Sequence, residues 1–64
     1  MNKLTKRETQ ILSELAKGLT DAEIAEVLYI SVETIKSHNK NIYKKLNVRN
    51  RSEAMLAWFN LFKS

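Results

Sequence analysis

The 64-residue chain contains no proline and only one glycine, Gly18. β-Hairpin turns depend strongly on such residues, so few tight turns of that kind can form. The chain also lacks cysteine, which excludes disulfide bonds and thiol redox chemistry. A domain of this length buries only about 60% of the surface that its unfolded chain exposes, and it is marginally stable alone. Regular helices, association with another chain, or both must therefore stabilise it, and the predicted fold class is all-α.

Four helix start signals divide the chain. Thr5 and Thr20 are each followed three residues later by Glu, which is the pattern of a capping box, while Ser31 and Asn50 are suitable N-cap residues. Gly18 follows a basic residue and is a strong stop signal for the first helix. The predicted helices span residues about 6–17, 21–28, 32–46 and 51–62. Their short connections predict one compact four-helix domain over residues 1–64, without a linker or a repeat.

Positive charge is concentrated in the third quarter of the chain. The formal net charge is +4 at pH 7, and residues 34–52 contain six basic residues and no acidic one. This distribution indicates a polyanionic partner, either nucleic acid or a membrane surface. The alternative is a solvated basic face without a partner.

The third predicted helix has two distinct faces. Its core face is defined by three apolar residues at helical spacing: Ile35, Ile42 and Leu46. Its opposite face carries three lysines at four-residue steps: Lys36, Lys40 and Lys44. No glutamates alternate with these lysines, as they commonly do on solvated helices. This helix can therefore lie along a negatively charged groove without giving up its packing.

The second and third predicted helices have the proportions of a helix-turn-helix unit, a short helix followed by a turn and a longer helix. Ala25 provides the small residue needed where the two helices cross, and Ile35 lies ten positions later to pack them together. Tyr29 stands where glycine is common in such turns. We interpret this to mean that the turn needs no left-handed glycine and that the Tyr29 hydroxyl lies at the surface.

Over residues 4 to about 59, the chain resembles a known family. The matching pattern is Leu4-Thr5-x-Arg7-Glu8, Ile11-Leu12, Leu15-Ala16-x-Gly18-x-Thr20, Glu23-Ile24-Ala25, Leu28-x-Ile30-Ser31-x-x-Thr34-Ile35-Lys36-x-His38-x-x-Asn41-Ile42-x-x-Lys45-Leu46-x-Val48-x-x-Arg51-x-x-Ala54. It looks like the LuxR-type (FixJ or GerE type) DNA-binding domain of bacterial transcription regulators. The family usually attaches a receiver or ligand-binding domain upstream, so both a response-regulator effector domain and a stand-alone regulator are open.

The resemblance implies site residues. The third helix is expected to enter the major groove and to read bases through Lys36, Ser37 and Lys40. The expected contacts to the DNA backbone are made by Thr20, Ser31, Thr34, Asn41 and Lys44. For the two capping residues among them, a capping role alone is an equally good explanation.

The fourth predicted helix is apolar on nearly all sides. One face is expected to pack inward through Ala54, Ala57, Trp58 and Leu61. The remaining apolar residues form the predicted homodimer interface: Met55, Leu56, Phe59 and Phe62. An exposed apolar patch of this kind marks an interaction site. The alternative is a monomer with a tighter core and an apolar tail.

Two further residues were assigned structural roles. His38 lies at the edge of the core face and is interpreted as a packed structural residue. Arg51 lies in the first turn of the fourth helix, where a cation is unfavourable. We therefore expect it to pair with Glu8 or another carboxylate of the first helix, with a phosphate contact as the alternative.

The predicted function is sequence-specific binding of double-stranded DNA and transcription regulation. The alternative is a protein-interaction helix-turn-helix that contacts another regulator or RNA polymerase. A nucleophile–base pair, a set of metal ligands and a phosphate-binding loop are all missing, so no enzyme activity, metal, cofactor or small-molecule substrate is expected. No signal peptide is recognisable, and the longest apolar run, 54–59, is too short to span a membrane. The protein is therefore expected in the cytoplasm.

Overall fold

The computed structural model describes residues 3–63, and for residues 62 and 63 it describes the backbone only. This part of the chain forms four helices and no strand: α1 (Lys6–Ala16), α2 (Asp21–Leu28), α3 (Val32–Leu46) and α4 (Arg51–Lys63). The prediction of an all-α four-helix domain is confirmed. The observed boundaries differ from the predicted ones by at most one residue, at the ends of α1 and α4.

The helix starts are fixed by the predicted caps. The Glu8 amide donates to Thr5 Oγ1 over 3.1 Å, and Glu8 Oε1 accepts from the Thr5 amide over 2.8 Å. Thr20 and Glu23 form the same reciprocal pair at the start of α2. These bonds satisfy amides that have no partner within the helix, which is why the starts were readable from sequence.

Helices α1, α2 and α3 end in the same way. Each is followed by one residue with positive φ: Gly18 (95°), Tyr29 (58°) and Asn47 (56°). The amide of the following residue then bonds back to a carbonyl five residues earlier, as in Ile30 to Ala25 over 3.0 Å. This closure requires left-handed backbone whatever the side chain. The turn therefore needs left-handed backbone, but Tyr29 adopts it in place of a glycine, so the interpretation that no left-handed glycine is needed is confirmed.

The core is built from all four helices. Its fully or nearly fully buried apolar residues are Ile11, Leu12, Leu15, Ile24, Ala25, Ile35, Ile42 and Ala54. Helix α1 packs against the other three helices, and α2 packs chiefly against α3. The residues after the left-handed positions, Leu19, Ile30 and Val48, also pack against this core. The predicted core face of α3 and the role of Ala25 at the crossing agree with this packing.

Helix α4 packs differently from the predicted arrangement. Leu61, expected on its inner face, is 56% exposed, whereas Met55, expected in the dimer interface, packs against the core together with Trp58. The core contacts of α4 lie within its first eight residues, Ala54, Met55 and Trp58. Leu61 lies one turn beyond the last of these contacts, so no part of the core covers it. No described helix is long and apolar enough to cross a membrane.

Candidate nucleic-acid interface

The exposed face of α3 carries three lysines. Lys36, Lys40 and Lys44 are exposed, and the same helix is anchored by fully buried Ile35 and Ile42. Within residues 3–61, none of these lysines pairs with a carboxylate. Ser37 and Asn41 are exposed on the same helix. All the α3 residues predicted to contact DNA are therefore accessible together.

The N-terminal end of α3 carries a pair of hydroxyl groups. Ser31 Oγ accepts from the Thr34 amide over 3.1 Å, and Ser31 Oγ and Thr34 Oγ1 lie 2.8 Å apart. Both residues are exposed. Thr20 is exposed as well, although its hydroxyl already caps α2. The hydroxyl groups predicted to contact DNA phosphates thus lie at helix N-termini, where the helix dipole favours an anion.

A polar cluster joins the start of α2 to α3 and α4. Asp21 Oδ1 accepts from Asn39 Nδ2 and from Arg51 Nη1, each over 3.0 Å. Arg51 also donates to the Leu19 carbonyl. Arg51 does form the expected intramolecular ion pair, but its carboxylate is that of Asp21, the first residue of α2. The predicted pairing with α1 is therefore wrong.

This cluster forms one wall of an open concavity beside the exposed lysines of α3. The concavity is lined by Asp21, Lys36, Asn39, Lys40, Tyr43 and Arg51. Asn39 is only 6% exposed, and its Oδ1 atom has no hydrogen-bond partner among the described residues. We did not single out Asn39 from the sequence. Its place on the helical wheel, between Leu46 and Lys36, was the available signal that it faces inward.

A second ion pair, whose carboxylate is buried, joins α1 to α3. Glu8 is 4% exposed, and its Oε1 atom accepts from Lys45 Nζ over 2.7 Å. Burial alone would raise the pKa of Glu8, but the hydrogen bonds from Lys45 and Thr5 and the positive charge of Lys45 together lower it below its usual value. The sequence identified only the capping role of Glu8. Lys45 therefore faces α1 and does not belong to the exposed lysine face.

The remaining predicted residues fall into three environments. His38 is half-buried at the edge of the core, consistent with a packed structural role. Leu56 and Phe59 are 62% and 56% exposed on α4, whereas Met55 is partly buried. The side chain of Phe62, the fourth predicted interface residue, lies outside the described residues. Among the described residues, no group of three or more potential ligands is arranged to hold a metal ion.

Comparison with known proteins identifies the family. The sequence profile described as "Bacterial regulatory proteins, luxR family" matches residues 2–57, which confirms the resemblance inferred from the motif. The chain is 51% identical over 53 residues to the nitrate/nitrite response regulator protein NarP of Escherichia coli (strain K12), covering 83% of this chain and 25% of NarP. The same identity and length relate it to the transcriptional regulatory protein LnrK of Bacillus subtilis (strain 168), covering 83% of this chain and 24% of LnrK.

A solved structure supports the same assignment. A chain from the crystal structure of the anti-activator RapF complexed with the response regulator ComA DNA binding domain superposes with a TM-score of 0.84 and 45% sequence identity. The alignment covers 86% of this chain and 95% of that one. The present chain spans about a quarter of the length of the curated relatives named above.

Proposed function

Since the chain belongs to the luxR family of bacterial regulatory proteins, we propose that it binds a specific sequence of double-stranded DNA and regulates transcription. The observation that carries this proposal is the exposed lysine face of α3, set opposite a buried apolar face. A positively charged helix anchored in this way can enter the major groove, which is wide enough for one α-helix. The family is one of regulatory proteins and is not an enzyme class.

Base reading is assigned to Lys36, Ser37 and Lys40. Lysine donates to the O6 and N7 atoms of guanine, and serine can contact several bases. These residues are exposed in the first three turns of α3, and N-terminal residues of a recognition helix are those that contact base edges. They therefore determine sequence preference in the proposal.

Backbone contacts are assigned to Thr20, Ser31, Thr34, Asn41 and Lys44. Hydroxyl, amide and ammonium groups all donate to phosphate oxygens, and such contacts set the register of a protein on the duplex without reading its sequence. Lys44 lies two turns beyond Lys36 on the same exposed face. Its contribution is expected to be the same on every DNA sequence.

Dimerisation is assigned to α4. Leu56 and Phe59 are more than half exposed, and exposed apolar groups of this size gain free energy when a second copy covers them. Met55 and Phe62 complete the predicted interface. A two-fold dimer would present two copies of α3 to half-sites about 34–36 Å apart. It would act where bacterial DNA is found, in the cytoplasm.

The exposed residues of α4 also favour a second function, contact with another regulator or RNA polymerase. The related ComA domain is described in complex with an anti-activator protein, which supports protein contacts by domains of this type. The DNA experiment below separates the two functions because a purely protein-binding module would not recognise a duplex.

Affinity for a duplex, selected from random DNA and titrated against salt, tests the proposal. Binding should weaken steeply with salt because several counterions are released. Lys40→Ala should weaken binding to the preferred site by roughly 1–3 kcal/mol and relax specificity at one base pair, whereas Lys44→Ala should weaken binding to all sequences alike. A flat salt response, or equal losses on every sequence for both variants, would contradict the assignment.

Sedimentation tests the dimer. Phe59→Glu places a charge on the exposed face of α4 and should give monomers with unchanged helical content. Its control is Gln10→Glu, which adds the same charge at an exposed position of α1. A dimer that survives Phe59→Glu would place the interface elsewhere.

A further inference from the structure

Tyr29 adopts a backbone conformation that does not suit its residue type. Its φ and ψ are 58° and 41°, in the left-handed region. A side chain with a Cβ atom is strained there, whereas glycine is not. The other two left-handed helix ends carry residues that suit this conformation. The first has Gly18, and the third has Asn47, whose short polar side chain is tolerated there.

The Tyr29 side chain makes little contact that could stabilise the fold. It is 93% exposed, more than any other large apolar residue described. Its hydroxyl makes no hydrogen bond within residues 3–61. The helix-end closure uses only backbone atoms, in the bond from the Ile30 amide to the Ala25 carbonyl. A glycine would make the same closure without strain, so stability does not account for the tyrosine.

The location of Tyr29 indicates what its side chain can bind. It precedes Ser31, the N-cap of α3, by two residues, and two residues of extended chain span at most about 7 Å. Tyr29 therefore lies beside the end of α3 that enters DNA in the proposed function. The major groove is about 12 Å wide, so phosphates line both sides of a helix inserted in it.

We propose that Tyr29 is an additional DNA-backbone contact, whose hydroxyl donates a hydrogen bond to a phosphate oxygen at the edge of the groove occupied by α3. Tyrosine is among the side chains that make such contacts. The inference rests on the proposed function and adds a residue to it. DNA is favoured over a protein partner for two reasons. Tyr29 lies close in sequence to Ser31 and Thr34, which are proposed to contact DNA phosphates. On α2 only one other large apolar residue, Val27, is exposed, which is too little for an apolar protein-binding patch.

Two substitutions test the proposal. Tyr29→Gly removes both the strain and the contact, so it should raise the urea midpoint of unfolding while weakening binding to the selected duplex about three- to ten-fold. Tyr29→Phe keeps the backbone and ring but removes the hydroxyl. It should leave the urea midpoint unchanged and weaken binding by a similar factor. Neither variant should change the salt dependence of binding, because the contact is uncharged.

Asn47→Gly is the matched control. It makes the same type of change at the other left-handed helix end, beyond the C-terminus of α3, and should leave DNA affinity unchanged. If Tyr29→Phe binds DNA with wild-type affinity, the hydroxyl contact is rejected. If Tyr29→Gly also binds with wild-type affinity, Tyr29 makes no contact with DNA, and a protein partner becomes the alternative. The wild-type titration reports separately on the proposed function, since failure of the unaltered chain to bind any duplex would reject DNA binding itself.

Discussion

Two polar clusters hold α3 in place, and they differ in how fully their hydrogen-bonding groups are satisfied. On the α1 side, Glu8 is almost completely buried and accepts from both Lys45 and the Thr5 amide. On the α2 and α4 side, Asp21 accepts from Asn39 and Arg51, but the Asn39 carbonyl oxygen is buried without a partner. The first cluster is closed, whereas the second opens into a concavity beside Lys36 and Lys40.

The difference follows from what each side of α3 must do. The side of α3 that faces α1 serves only to pack the two helices together, so a carboxylate with all its hydrogen bonds made is the stable arrangement there. The side facing the starts of α2 and α4 borders the proposed DNA surface, and its polar groups stay close to solvent. A buried group lacking a hydrogen bond destabilises the folded state. We therefore expect the first cluster to dominate stability and the second to contribute little.

The largest expected effect comes from removing the Glu8 carboxylate. Glu8→Ala eliminates half of the capping box and leaves Lys45 without its partner, which should destabilise the domain by about 2–4 kcal/mol. Thermal unfolding followed by circular dichroism measures the loss. Glu23→Ala is the control, because Glu23 forms the same type of capping box at an exposed site without an ion pair. Equal losses in the two variants would show that the Lys45 pair adds nothing.

An intermediate effect is expected from acid. The pKa of Glu8 in the folded state is lowered from 4.5, so the unfolded chain binds this proton more readily. The resulting stabilisation is complete above pH 4.5 and is lost as the pH falls through the folded-state pKa. Urea midpoints measured down to about pH 3 should therefore fall more steeply in the wild type than in Glu8→Gln. Parallel curves would remove Glu8 as the source of acid sensitivity.

The smallest effect is expected in the open cluster. Asn39→Leu removes the unpaired carbonyl oxygen while Arg51 remains on Asp21, and it should stabilise the domain by roughly 0.5–1 kcal/mol. Asn41→Leu makes the same change at an exposed position of α3 and corrects for helix propensity. The comparison between the clusters would fail if urea denaturation found Asn39→Leu less stable than Asn41→Leu.

Local features of the fold were predictable because each depends on a short stretch of chain. The caps at Thr5, Thr20, Ser31 and Asn50 require only neighbouring residues, and they placed every helix start. The lysine face of α3 followed from helical periodicity alone. The DNA-contacting residues were carried over from the family resemblance, and their contacts remain predictions.

Long-range pairing was not predictable in the same way. Arg51 required an acidic partner, and the sequence suggested a carboxylate of α1. The structure instead pairs it with Asp21, and this choice depends on where the fold brings the two side chains together. Lys45 was indistinguishable in type from Lys44, although one is tied to Glu8 and the other is exposed. Leu61 was misplaced because periodicity does not show where the neighbouring core ends.

The hydroxyl pair at the start of α3 has a consequence for the proton donors that this helix end can offer. Ser31 Oγ and Thr34 Oγ1 share one hydrogen bond, and either oxygen can be its donor. Each of the two proton arrangements leaves exactly one O–H group pointing away from the pair, on Thr34 in one case and on Ser31 in the other. This helix end therefore keeps one O–H group available to an anion in either arrangement, and exchanging the two arrangements moves no heavy atom.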